Sequence, residues 1–473
     1  MKEERCRDRA LRCTLATALG FATALLLWPA VAVPARAEQR APGEHGRRWS
    51  IEWDGTLRGE VAVRTDRPRV LSKERNLIRL RAVAAGPGPL AVTVAVRGFY
   101  DAVYDLTDRY PEEVEHALGS EGTLREAFLE WSRGALSIRV GKQQVVWGEA
   151  FGRFLTDIVV PKDLREFLLP DFEYIRIPLW MAEGTWTRGD AAIEAVLVPD
   201  LRYSIVAPQG ADFAPRFEEP ATPLVVEPTR KPPRTWRTIE SGLRLSWIRS
   251  GWEVSALAFS GFDDLPVPFR RIESPPGGGT LVVVMPGPAR LTTVGGTVSK
   301  GRGRAIYRGE LACDFGRWFP ARSLTEESGV VRADFLGVIA GVDLALPRRS
   351  TLGIQILHQE AIGSSAGRLV GPSGPTVLML RGLLWEARGR WSAGLEAHFG
   401  LDGDSMIRPR VGYRFTDGLQ ADVGLDLFAG RPESFYGQFD GEDRFYVTIS
   451  YLFGAASPGA PGGGDSARRP SPR

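Results

Sequence analysis

Cysteine is close to absent. The chain of 473 residues has three, and two of them, Cys6 and Cys13, sit near the N-terminus, so a chain trimmed there keeps Cys313 alone. One thiol makes no intramolecular disulfide, and hydrogen bonds and packing must hold the fold. Histidine is as scarce, with four in all: His45, His116, His358 and His398. There is no His-Glu-x-x-His and no paired Cys, which argues against a zinc site, and no cofactor is expected. The Gly-rich run Pro275-Pro276-Gly277-Gly278-Gly279-Thr280 lacks the Lys-Ser/Thr of a phosphate loop and reads as a loop tip. His358 with Ser364 and Ser365 nearby is too thin a basis for an embedded hydrolase, and no enzyme is expected.

A bias of charge is also missing. The net charge of +3 belongs to residues 1–37, which hold six basic and three acidic side chains, so the remainder is neutral. That gives no case for a nucleic-acid partner. Long apolar runs are missing too, apart from Leu15 to Val33. A spanning helix needs about 20 apolar residues, so any membrane crossing beyond that run must be made by strands. Residues 1–37 themselves carry Lys2, Arg5, Arg7, Arg9 and Arg12, then the apolar run broken by Pro29 and Pro34, then Ala35-Arg36-Ala37. This is the pattern of a secretory signal peptide, without the Cys a lipoprotein signal would need.

What the chain does have is alternation. In the last such stretch Phe445, Val447, Ile449, Tyr451 and Phe453 alternate with Tyr446, Thr448, Ser450 and Leu452, the period of a strand with two unlike faces. The first is similar: Trp49, Ile51, Trp53, Leu57, Val61 and Val63 stand against Glu52, Asp54, Arg58 and Glu60. Between them about sixteen to eighteen segments in all follow one another, and the last is expected to pair with the first. Alternation alone would suit a soluble sandwich as well. The breaks decide: short ones (86–89, 133–134, 188–190, 249–251, 300–303, 347–350, 388–390, 416–418) take turns with longer ones such as 102–123, 148–178, 199–237 and 263–290. Outer-membrane barrels sort their connections this way, and a sandwich has no reason to.

The expected fold is therefore all-β: a transmembrane antiparallel β-barrel over residues 49–453, with a long, partly folded loop near 148–178 and a disordered periplasmic tail over 454–473. Closure is required because an unpaired N–H or C=O in lipid costs several kcal/mol. The polar rows should then line an aqueous lumen, which places Arg79, Arg81, Arg97, Arg139, Arg244, Arg308, Glu310, Asp314, Asp343, His398, Arg410 and Asp422 inside, wet and charged.

Residues 141–181 do not alternate. They include Gly141, Gln143, Trp147, Gly148 and Glu149, then Asp157, Pro161, Asp163, Leu164 and Arg165, then Arg176 and Pro178. This pattern resembles the outer-membrane family known as domain of unknown function 1302, with Val160 standing where many members carry Asn. The resemblance implies an outer-membrane channel for small hydrophobic or amphipathic solutes of lipid, hydrocarbon or steroid type, often beside an inner-membrane efflux pump. It brings no catalytic residues. Read from the residues, Pro161, Pro170 and Pro178 exclude a continuous strand, and Asp163 is placed to cap a short helix over 164–169. Such a loop either bends inward to narrow the lumen, with Glu149, Asp157, Asp163, Arg165 and Arg176 at the neck, or packs on itself as an outer lid. Two functions remain open: a passive channel in contact with outer-membrane lipid, or a barrel that anchors a partner complex with no flux of its own.

Overall fold

Every strand of the wall has two hydrogen-bonded neighbours, the first and last included. The computed structural model describes residues 49–216, 222–274, 278–321, 323, 325–363, 375–386 and 388–454. Residues 1–48, which include the expected signal peptide, the tail beyond Gly454, Ser364 and Ser365, and residues 275–277 of the Gly-rich run lie outside the described residues.

Eighteen strands make the wall. The first nine are β1 (Ser50–Arg64), β2 (Leu71–Ala85), β3 (Leu90–Asp101), β4 (Ser120–Arg133), β5 (Leu136–Gln143), β6 (Leu179–Arg188), β7 (Ala191–Val198), β8 (Glu240–Arg249) and β9 (Trp252–Phe262). The second nine are β10 (Arg290–Arg302), β11 (Ala305–Pro320), β12 (Val330–Ala345), β13 (Thr351–Ile362), β14 (Thr376–Trp385), β15 (Trp391–Gly400), β16 (Ser405–Arg414), β17 (Leu419–Ala429) and β18 (Arg444–Gly454). Each pairs antiparallel with the next, and β18 returns to β1 with Asp54 opposite Gly454 and Arg64 opposite Arg444. The seam is filled by aromatic packing. Phe453 meets Trp53 edge-on at 5.9 Å and covers Gly55, where a Cβ would run into its ring.

The connections are sorted by side. Those at 86–89, 134–135, 189–190, 250–251, 303–304, 346–350, 386–390 and 415–418 are tight, and both chain ends of the wall lie with them. Gly134 (φ 62°) and Gly303 (φ 63°) supply the left-handed backbone that two-residue hairpins need. The other end carries 65–70, 102–119, 144–178, 199–239, 263–289, 321–329, 363–375 and 430–443, and only 401–404 is short there. A small sheet of Leu224–Val226, Leu281–Gly287 and Val267–Glu273 stands on that end.

The two faces of the wall are inverted relative to a soluble protein. Outward rows are exposed and apolar, as with Val94, Val96, Leu243, Leu245, Leu311, Ile354, Ile356, Val423 and Ile449. Polar residues such as Thr93, Glu183, Ser255, Thr297, Glu310, Gln355 and Asp426 are buried inside. Exposed rings collect near the tight turns (Trp53, Trp186, Trp247, Trp252, Tyr307, Trp391, Phe415) and again near the far rim (Tyr100, Trp180, Phe315, Phe445). An apolar belt between two aromatic girdles is what a bilayer selects. No helix among the described residues is long and apolar enough to cross a membrane, so the crossing is made by strands.

The inner face departs from the expectation in one respect. It is not charged throughout. Ile339, Leu357, Val377, Met379, Met406 and Phe428 also point inward and are buried, because a segment of chain fills the space beside them.

Candidate functional site

That segment is residues 144–178. The chain leaves the wall at Gln143 and rejoins it at Leu179, directly opposite in the register, after passing through the interior. Pro161, Pro170 and Pro178 deny it the backbone donors of a strand. The wall supplies partners instead.

The indole N–H of the buried Trp147 donates to Glu194 Oε1 on β7 at 2.7 Å, and its ring lies edge-on to Phe259 on β9. Next, the Glu310 carboxylate on β11 accepts the backbone N–H of Glu149 (2.5 Å) and Ala150 (2.6 Å), and the hydroxyl (2.7 Å) and N–H (3.3 Å) of Thr156. One carboxylate thus satisfies donors from both limbs of a bend. Glu149 itself accepts Arg308 Nη1 at 2.8 Å and the Thr297 hydroxyl at 3.3 Å, and Arg308 also donates to Asp343 at 2.7 Å. At the tip, Gly152 (φ 76°) lies where any Cβ would collide with the His398 ring. His398 on β15 is fully buried, with Nδ1 2.9 Å from the Tyr436 hydroxyl and Nε2 3.3 Å from a Glu396 carboxylate oxygen. Arg153 lies over the Phe435 ring at 4.1 Å.

The returning limb is held by ions. Arg176 Nε donates to Asp157 at 2.7 Å, and Lys162 Nζ donates to the Asp157 carbonyl at 2.8 Å. Arg165 pairs with Asp163 at 2.6 Å and with Glu121 of β4. Glu166 reaches Lys73 and Arg75 on β2, beside Glu60 and the Asp426–Arg444 pair (2.7 Å). Burial works against its charge, but Arg75, Lys73 and Arg444 hold the Glu166 carboxyl well below the usual carboxylate range. Beyond it, Arg408 Nη2 donates to the Leu169 carbonyl (2.8 Å), Arg79 pairs with Glu173 (2.9 Å), and Arg125 donates to the carbonyls of Glu173 (2.6 Å) and Arg176 (2.7 Å).

The loop is therefore inside the barrel rather than a lid packed on itself. The five residues expected at its neck fall into three separate ion-paired groups. Glu149 is committed to Arg308, Asp157 and Arg176 to each other, and Asp163 to Arg165, which also pairs with Glu121. The helix expected over 164–169 is absent. Asp163–Leu164 instead forms a two-residue strand beside Ile205–Val206, and the short helix is Phe172–Ile175. Phe167 takes φ 53° to seat its ring against Phe428, Phe435, Tyr436 and Phe439, and that packing overrides the local preference for helix.

The residues expected on the inner wall face inward. Arg79 and Arg81 approach Asp54, Arg97 pairs with Glu121 and Arg139 with Glu183. Arg244 stands opposite Glu194, Asp314 accepts the Thr293 hydroxyl, Arg410 lies over Gly394 and Asp422 accepts the Gln420 amide. Glu166, Arg408 and Asp426 hold the loop as well, together with Lys73 and Arg75, which were not singled out from sequence. Arg408 shares the inward row of Arg410, and Asp426 that of Asp422, so the alternation already pointed to those two.

Closure, belt and girdles define the class: an antiparallel β-barrel of the bacterial outer membrane, with a chain segment folded into its lumen. Residues 86–210 match the family described as "Protein of unknown function (DUF1302)", a span that contains the motif residues from Gly141 to Pro178. No curated protein matches the sequence. Among solved structures, OccAB2 of Acinetobacter baumannii is similar at 10% identity, with 86% of this chain and 98% of that one covered and a TM-score of 0.51. OccK1 (OpdK) and OccK8 (OprE) of Pseudomonas aeruginosa are similar too, each at 10% identity, covering 86% of this chain and 99% of theirs, with a TM-score of 0.49. The first likeness bears out the expected closed antiparallel β-barrel, whose wall has eighteen strands here.

Proposed function

We propose that the chain is a narrowed channel of the outer membrane that passes small hydrophobic or amphipathic solutes of lipid, hydrocarbon or steroid type. The observation that carries this reading is the course of residues 144–178, which cross the lumen while bound to Glu310 of β11 through Thr156 and to Lys73 and Arg75 of β2 through Glu166. A porin wall without such a segment encloses a wide aqueous channel. Here the interior offers charged rows beside buried apolar side chains such as Phe151, Leu155, Leu357 and Met379. Those apolar side chains are packed between loop and wall, so the solute class rests on the family resemblance, and the charged rows suit the polar end of an amphipathic solute. Glu149, Asp157, Asp163, Arg165 and Arg176 act in this reading by fixing the shape of the narrowing, since each already has a charged partner.

The reading is tested in vesicles containing the purified chain. Uptake of a long-chain carboxylate faster than that of a neutral sugar of equal mass supports it, and equal rates contradict it. Work beside an inner-membrane efflux transporter is part of the same proposal, and co-purification with such a pump from crosslinked cells tests it. Pump capture from a barrel that shows no current or uptake would favour the anchoring role instead.

A further inference from the structure

The wall is not of even height. β5, β6 and β7 contribute eight, ten and eight residues, against fifteen in each of β1 and β2 and sixteen in each of β11 and β12. On β4, Ser120 to Glu126 pair with β3, but pairing to β5 begins only at Ala127 opposite Lys142. The edge above that point has no strand beside it. The returning limb of the inward loop covers it, through the two bonds from Arg125 to the Glu173 and Arg176 carbonyls.

Outside this low segment the lipid-facing surface is hollowed into a concavity of about 600 Å³. Val94, Leu129, Val140, Trp180 and Leu197 frame it, and its lining is almost wholly apolar. Small residues make the floor. Gly141 takes φ 138°, and a Cβ there would strike the β4 backbone at Ala127 and Phe128, so the strands approach where no side chain fits. Met181 belongs both to this floor and to the inner apolar cluster of Trp147, Val159, Val196 and Leu257. The neighbouring Gln143 is buried with Oε1 unpartnered among the described residues, and its Nε2 holds the Met181 carbonyl only at 3.4 Å. Met181 thus borders both the hollow and the inner apolar cluster at the place where the ladder is shortest.

We propose that this hollow is a lateral site for one acyl chain of an outer-membrane lipid, and that it is the outer mouth of a side path over the end of β5 at Gln143 to the inner apolar cluster. The occupant follows from position: the hollow runs from the apolar belt at Val94, Leu129 and Val140 up to the far girdle at Trp180, and the medium adjoining that belt is acyl chain. The acyl site stands on the wall alone, whereas passage along the side path rests on the channel reading above.

The test uses the full barrel in phosphatidylethanolamine–phosphatidylglycerol vesicles doped with a phosphatidylethanolamine that carries a diazirine near one acyl terminus. After photolysis, adducts are mapped by peptide mass spectrometry. Adducts several-fold enriched at Leu129, Val140 and Leu197 over Ile354 and Ile356 are expected, as is loss of that enrichment in Ala182→Trp, which fills the hollow. Even labelling around the belt overturns the acyl site. Adducts on Val159 or Trp147 are the result expected of the side path, and adducts confined to the outer lining overturn it. Conductance read on the same vesicles separates the two readings: current with even labelling removes the site and leaves the channel, and enriched labelling without current does the reverse.

Discussion

Glu310 accepts the Thr156 hydroxyl at 2.7 Å, so a carboxylate of β11 holds a loop that leaves the wall from β5. The same carboxylate receives three backbone N–H groups from both limbs of the bend. Removing it in Glu310→Ala leaves those buried donors without an acceptor, at about 1–3 kcal/mol for each that finds no water. The expected result is protease cleavage within 149–157 and a noisier current, with the barrel intact. Glu310→Gln, which keeps a neutral acceptor, should do less.

Glu166 gives the anchor an acid limit. Burial opposes its charge, yet Arg75, Lys73 and Arg444 hold it well below its ordinary value of 4.5. A depressed carboxylate contributes its stability in full above the ordinary value and loses it as pH falls through the depressed one. The loop should therefore stay docked at mildly acidic pH and release only in stronger acid. In Glu166→Gln the release should occur at neutral pH, and current recorded across an acid titration checks both.

Glu442 acts in the opposite sense. It lies in the outer connection 430–443, where burial and then Asp212 raise its carboxyl to about 7 against Arg64, Arg109 and Arg216. Burial outweighs the Arg64 ion pair at 3.0 Å. Because the folded form holds its proton more tightly than the unfolded form, its contribution is complete below 4.5 and is lost as pH rises through about 7. Amide exchange of 430–443, corrected for intrinsic rates, should quicken over that window and become flat there in Glu442→Gln.

The orientation of the wall is tested at Leu311, which is exposed in the middle of β11. Leu311→Arg puts a guanidinium into acyl chains and should lower barrel stability by about 2–4 kcal/mol if it lies near the midplane. Urea titration followed by heat-modifiable gel mobility measures it, and no loss would mean that this face does not meet lipid.

The barrel was legible because alternation and the sorting of connections by side depend on local residues. Phe445 to Phe453 could be read as the closing strand, and its pairing with β1 is what the structure holds. The course of the loop was not legible. Its path depends on contacts between residues far apart in sequence, such as Arg408 with the Leu169 carbonyl, which leave no periodic trace. The same limit hid the apolar part of the interior. Ile356 faces lipid and Leu357 faces the packed loop, and two adjacent apolar residues do not say which side is wet. The expected helix failed for a related reason, since Phe167 answers to four distant rings rather than to Asp163.

Single-channel conductance of a chain lacking 152–176 tests most directly whether residues 144–178 narrow the lumen. With heat-modifiable mobility confirming a closed barrel, a severalfold larger and quieter conductance than that of the intact chain is expected. An unchanged conductance from a folded deletion variant would contradict the narrowing.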